Sequence, residues 1–146
     1  LENTRQIIMA LSINFKIHTM DTVKKIAVYM DHFMANIIEY TNSAEAIKTI
    51  KSEFNRSEKR EILQKGESQM QNKEQDMQLE FYSKLREELL SYDSVLLFGS
   101  TNAKTELLNI LQADAKFLNV EFTLKNTDKL TENQQIAFVN DCFYIN

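Results

Sequence analysis

The 146-residue sequence predicts an α/β fold whose elements run βββαβαβα, with a mixed five-stranded sheet covered by helices. Three observations predict it. Apolar residues first recur in short β-branched and aromatic runs divided by brief polar breaks. From Met77 onward the apolar period changes to three and four residues. Residues 95–98, Val-Leu-Leu-Phe, then form an unbroken apolar run, as expected of a strand covered on both faces.

The elements follow in order. Lys24-Lys25-Ile26-Ala27-Val28-Tyr29-Met30 and Met34-Ala35-Asn36-Ile37-Ile38-Glu39-Tyr40 are strands separated only by Asp31-His32-Phe33, which reads as a hairpin. After a polar turn at Asn42-Ser43, Ile47, Thr49 and Lys51 alternate with Ile50, Ser52 and Phe54 as a third, edge-like strand. Residues 55–76 are polar, carry both charge signs and contain Gly66, the pattern of a mobile loop or a solvated helix start. Met77, Phe81, Leu85 and Leu89, with Tyr82 and Tyr92 alongside, place a long helix ending near Tyr92. Behind the 95–98 strand, Gly99 makes a turn into a helix striped by Leu107, Leu108 and Leu111. Phe117, Val120, Phe122 and Leu124 give a fifth strand over 117–124. Thr131 and Gln134 have capping-box spacing ahead of a last helix with Ile136, Val139 and Phe143 on one face. Three antiparallel strands followed by two parallel strands with crossover helices make the ribonuclease-H-like arrangement.

Composition bounds the function classes. At 43% hydrophobic and 26% charged residues, the sequence suits one globular domain with a real core, and no apolar run reaches bilayer length. No membrane partner is expected, and the single cysteine, Cys142, rules out an internal disulfide framework and fits a cytoplasmic location. The net charge of -4 argues against a general electrostatic nucleic-acid binder, so no DNA partner is expected, although a local basic patch stays open. Residues 1–19 are apolar but lack a cleavage pattern, and Met20 immediately precedes the first strand region. They read as an N-terminal extension, flexible or foreign to the domain, ahead of a single domain over 20–146.

Two segments and one carboxylate stand out as candidate sites. Two-metal nucleases need several carboxylates converging on cations about 4 Å apart. Asp31, at the end of the first strand, is the candidate first ligand and the one weak catalytic candidate, with a turn role as its alternative. Residues 95–99 and the region around Thr131 offer no second or third acid, and Asp93 precedes its strand. His18, His32 and Cys142 have no ligand spacing, so neither metal nor cofactor is expected. Gly99, Ser100, Thr101 and Lys104 open a helix and offer an anion cradle, yet they lack the remaining glycines and the Lys-Ser/Thr pair of a nucleotide loop. The plainer reading is a tight turn capped by the Ser100 or Thr101 hydroxyl. Lys65, Gly66, Glu67, Ser68, Gln69, Asn72 and Lys73 lie in a polar stretch leading into the long helix, where exposed residues can reach a partner.

Tyr29-Met30-Asp31-His32, Lys65-Gly66-Glu67-Ser68, Leu97-Phe98-Gly99, Ala103-Lys104-Thr105-Glu106-Leu107 and residues 128–134 occur in an order that resembles a known family. That family is the central domain of archaeal and eukaryotic peptide-chain release factors and of Pelota, with the small bacterial proteins related to it. The resemblance spans about Met20 to Phe143. It implies a ribosome- or RNA-associated role in translation, with residues 65–73 as the contact segment. In true release factors a Gly-Gly-Gln loop positions water for ester hydrolysis. Here Gly66-Glu67-Ser68-Gln69 occupies that place, with Glu67 repelled by RNA phosphates, so peptide release is in doubt. Two alternatives remain beside this reading: a metal-dependent nuclease or other hydrolase using Asp31, and a protein-interaction module. The latter includes a homo-oligomer joined through an edge strand or through residues 1–19.

Overall fold

The structure, a computed structural model, describes residues 23–53 and 67–145. Three strands come first: β1 (Lys25–Met30), β2 (Met34–Tyr40) and β3 (Ala44–Lys51). They are followed by α1 (Glu67–Leu89), β4 (Ser94–Gly99), α2 (Ala103–Gln112), a 3-10 turn (Ala115–Phe117), β5 (Glu121–Asn126) and α3 (Glu132–Ile145). The five strands form one sheet in the order β3-β2-β1-β4-β5. β2 pairs antiparallel with both β1 and β3, while β1 with β4 and β4 with β5 are parallel. This is the mixed, ribonuclease-H-like sheet expected from the sequence.

The unbroken apolar run of β4 has a simple cause. Val95 and Leu97 enter the layer formed with α1 and α2, whereas Leu96 and Phe98 enter the opposite layer under α3. All four are at most 1% exposed, and burying each such side chain contributes about 1.5–3 kcal/mol. β1 divides the same way, with Ile26, Val28 and Met30 under α1 and α2 and Ala27 under α3. From α1, Phe81, Tyr82, Leu85 and Leu89 close the first layer.

Three boundaries differ from the sequence expectation. The third strand spans Ala44–Lys51, earlier than the alternation suggests, and its register on β2 shifts between Ile38 and Glu39; Phe54 lies outside the described residues. The long helix starts at Glu67 and ends at Leu89, so residues 67–76 belong to it, while the rest of the expected polar loop lies outside the described residues. The fifth strand begins at Glu121, four residues after Phe117. Phe117 is buried instead at the end of the 3-10 turn, which starts where Asp114 Oδ1 accepts from Lys116 N at 3.0 Å. A buried aromatic between Lys116 and an exposed Leu118 joined the apolar pattern of the strand without being extended. Residues 1–19 lie outside the described residues.

Candidate functional site

The carboxyl ends of β1 and β4 lie side by side, the place where open α/β sheets expose loops to ligands. Gly99 ends β4 with φ +151°, and a Cβ there would sit 2.4 Å from the Met30 carbonyl oxygen. Only glycine fits that conformation and that approach. Past it, Asn102 is the N-cap of α2 but gives no side-chain cap. The Thr101 hydroxyl, one of the two expected capping groups, accepts from Ala103 N at 3.3 Å. Lys104 is only 2% exposed, and its Nζ donates to the Thr101 carbonyl at 2.5 Å. Burial lowers its pKa. The ammonium expected to face an anion is thus turned onto the corner's own backbone.

Asp31 caps the hairpin. Its Oδ1 accepts from Phe33 N at 2.7 Å and Met34 N at 2.8 Å, and Asp31 N donates to Met34 O at 3.0 Å. These bonds fold β1 back into β2, which is the turn role the sequence offered as the alternative. Among the described residues, no group of three His, Cys, Asp or Glu side chains converges as a metal site would need.

Beside this turn lies a cluster the sequence did not single out. Glu106, in the first turn of α2, accepts from the Tyr82 hydroxyl and stands 3.1 Å from His32 Nε2. Gln78 Nε2 of α1 donates to the His32 carbonyl at 3.1 Å. Burial, then the Glu106 carboxylate, pushes the Tyr82 hydroxyl pKa well up. One signal was available: a tyrosine on the buried face of a helix needs a partner for its hydroxyl.

On the opposite face of the sheet, a cleft of about 420 Å³ opens between the β1–β2 turn, the Ser100–Thr101 corner and the start of α3. Asn36 and Gln135, both buried, form its floor and bond each other at 2.9 Å. Thr49 Oγ1 donates to Asn36 Oδ1 at 2.8 Å, and the Tyr29 hydroxyl accepts from Leu130 N at 2.9 Å. The α3 start is a capping box: Thr131 N donates to Gln134 Oε1 at 2.9 Å and Gln134 N to Thr131 Oγ1 at 3.3 Å. Sequence reasoning missed Asn36 because it lies inside an apolar strand and its partner is 99 positions away.

The expected contact segment sits elsewhere on the same edge. Glu67, Ser68 and Gln69 form the first turn of α1, Asn72 and Lys73 are exposed one turn later, and Lys65 and Gly66 lie outside the described residues. α1 runs against β4, so its amino end is at the carboxyl edge of the sheet. At 1.5 Å per residue, Glu67 stands about 16 Å along the helix from the Gln78 contact. The helix start therefore projects past the sheet, a helical probe where the sequence left a loop open.

No family model matches the sequence, and no curated protein matches it. Solved structures do. Archaeoglobus fulgidus Pelota aligns with a TM-score of 0.54 and 9% identity over 90% of this chain and 35% of that one. The fold is shared with Pelota. Thermoplasma acidophilum Pelota aligns at 0.53 and 16% identity over 80% of this chain and 32% of its own. Saccharomyces cerevisiae Dom34, described as a translation termination-like factor interacting with Hbs1, aligns at 0.49 and 12% identity over 86% of this chain and 34% of that one. The chain thus spans about a third of the length of the Pelota proteins it matches. At these identities the likeness to Pelota is one of fold. Among the described residues, no helix is long and apolar enough to cross a membrane.

Proposed function

We propose that this chain is a release-factor-related, translation-associated domain of the cytoplasm that binds ribosomes without carrying out peptide release. The observation that carries the reading is the shared Pelota fold over nearly the whole chain, together with the order of residue groups that resembles the release-factor central domain. The contact is made by residues 65–73, at and just ahead of the α1 start. The projection of residues 67–73 from the sheet edge supports this role, and so do the exposed amide of Asn72 and ammonium of Lys73. Release chemistry is not carried over, because Glu67-Ser68 separates Gly66 from Gln69. A phosphate-rich partner repels a chain of net charge -4 overall, so the contact is local and salt-sensitive. Sedimentation of the full chain with purified ribosomes through a sucrose cushion tests it. The chain pellets with ribosomes at low salt and is released as salt rises; a chain left in the supernatant at low salt contradicts the reading.

A further inference from the structure

β5 ends the sheet on one side and, among the described strands, pairs only with β4. Glu121 N donates to Asp93 O at 2.9 Å and Thr127 N to Gly99 O at 3.0 Å, so the odd-numbered residues of β5 turn their backbone groups toward β4. The N–H and C=O groups of Phe122 and Leu124 then point away from the sheet, where they offer a template to another strand. The opposite edge, β3, is defended. Its register on β2 shifts between Ile38 and Glu39, and its Lys48 pairs with Glu88 of α1. β5 keeps an even register along β4, and the chain has no proline to interrupt it.

The residue order of this edge matches itself in reverse. The strand reads Glu121-Phe122-Thr123-Leu124-Lys125-Asn126. Laid antiparallel against a second copy about a two-fold axis at Thr123, it sets Glu121 opposite Lys125 of the partner subunit, Phe122 opposite Leu124 of the partner subunit, and Thr123 opposite its own equivalent. Glu121 and Lys125 are exposed, and neither forms an ion pair among the described residues, so both charges are open to such a match. Phe122 and Leu124 share the sheet face of Val95 and Leu97, and Leu124 is 37% exposed until it is covered. The backbone agrees with this register: the outward-facing residues Phe122 and Leu124 fall opposite each other as a hydrogen-bonded pair, and Thr123 takes the closer, non-hydrogen-bonded position. A slip of two residues either way sets Glu121 opposite Thr123 or Thr127 and loses the charge match.

We propose that β5 is a self-association edge: it pairs antiparallel with β5 of a second copy of this chain, and the two five-stranded sheets continue into one across a two-fold axis. The proposal is independent of the ribosome reading above. One short strand pair buries little area, so the dimer depends on concentration. Sedimentation equilibrium of the full chain, from about 1 μM to about 1 mM, tests it. The native chain passes from monomer to dimer across that range. By symmetry, Glu121→Lys or Lys125→Glu alone sets two like-charged pairs face to face, and each raises the dimer dissociation constant about tenfold or more. The double variant with both replacements restores opposite charges in reversed order and recovers the native dissociation constant. Both side chains are exposed, so the variants keep the fold of the monomer. Loss in each single variant with recovery in the double one supports the proposal. A chain that stays monomeric throughout overturns it, and so does a dimer that ignores the single replacements or is not rescued by the double one.

Discussion

Gly99 is held by two constraints at once, its φ of +151° and the Met30 carbonyl that a Cβ would meet at 2.4 Å. Gly99→Ala therefore lowers stability by at least about 2 kcal/mol in urea denaturation. A variant as stable as the native chain would show that the β1–β4 approach can relax. Lys104 gives the opposite sign. Its ammonium is buried against one carbonyl at the amino end of a helix, where a positive charge is unfavourable. Lys104→Met keeps the packed stem, removes the charge and raises stability by about 1 kcal/mol in the same assay. Tyr82 titrates higher in the folded chain than its ordinary value of 10.0. The unfolded chain then loses this proton first, so Tyr82 contributes stability below about pH 10 that drains away as pH rises above it. Tyr82→Phe flattens that alkaline decline, which thermal melts at neutral and alkaline pH will read out.

At the scale of elements, what the sequence revealed depended on whether a signal was local. The α3 start was legible because Thr131 and Gln134 are three residues apart and bond each other reciprocally. Thr131→Ala costs about 1 kcal/mol of stability by urea denaturation; an unchanged midpoint would mean that tertiary packing alone fixes this helix. β4 was legible because both its faces are buried. β5 was not, since it is an edge strand with four of its six residues exposed, and the nearby buried Phe117 drew the alternation four positions too early. The start of α1 was illegible for a related reason: its first turns carry no apolar stripe, and helical period shows only where one face packs. The partners of Tyr82 and of Asn36 were equally hidden, because Glu106 and Gln135 reach them only through the folded sheet.

For the whole molecule, strand order and handed crossovers follow from topology rules that a sequence can engage, and the ribonuclease-H-like sheet was readable on that basis. The candidate site was less so. Of the groups expected at the carboxyl edge, Asp31 and Thr101 are occupied in turns and caps, and Lys104 faces inward. The buried amide pair that lines the cleft, Asn36 and Gln135, comes from distant elements. The contact surface proposed for a ribosome is the projecting start of α1, on the same edge as the cleft. The most direct measurement compares ribosome cosedimentation of the full chain and of a variant with residues 66–69 all replaced by alanine, at low salt. The account expects the native chain in the ribosome pellet and the folded variant in the supernatant; equal distribution of the two would contradict it.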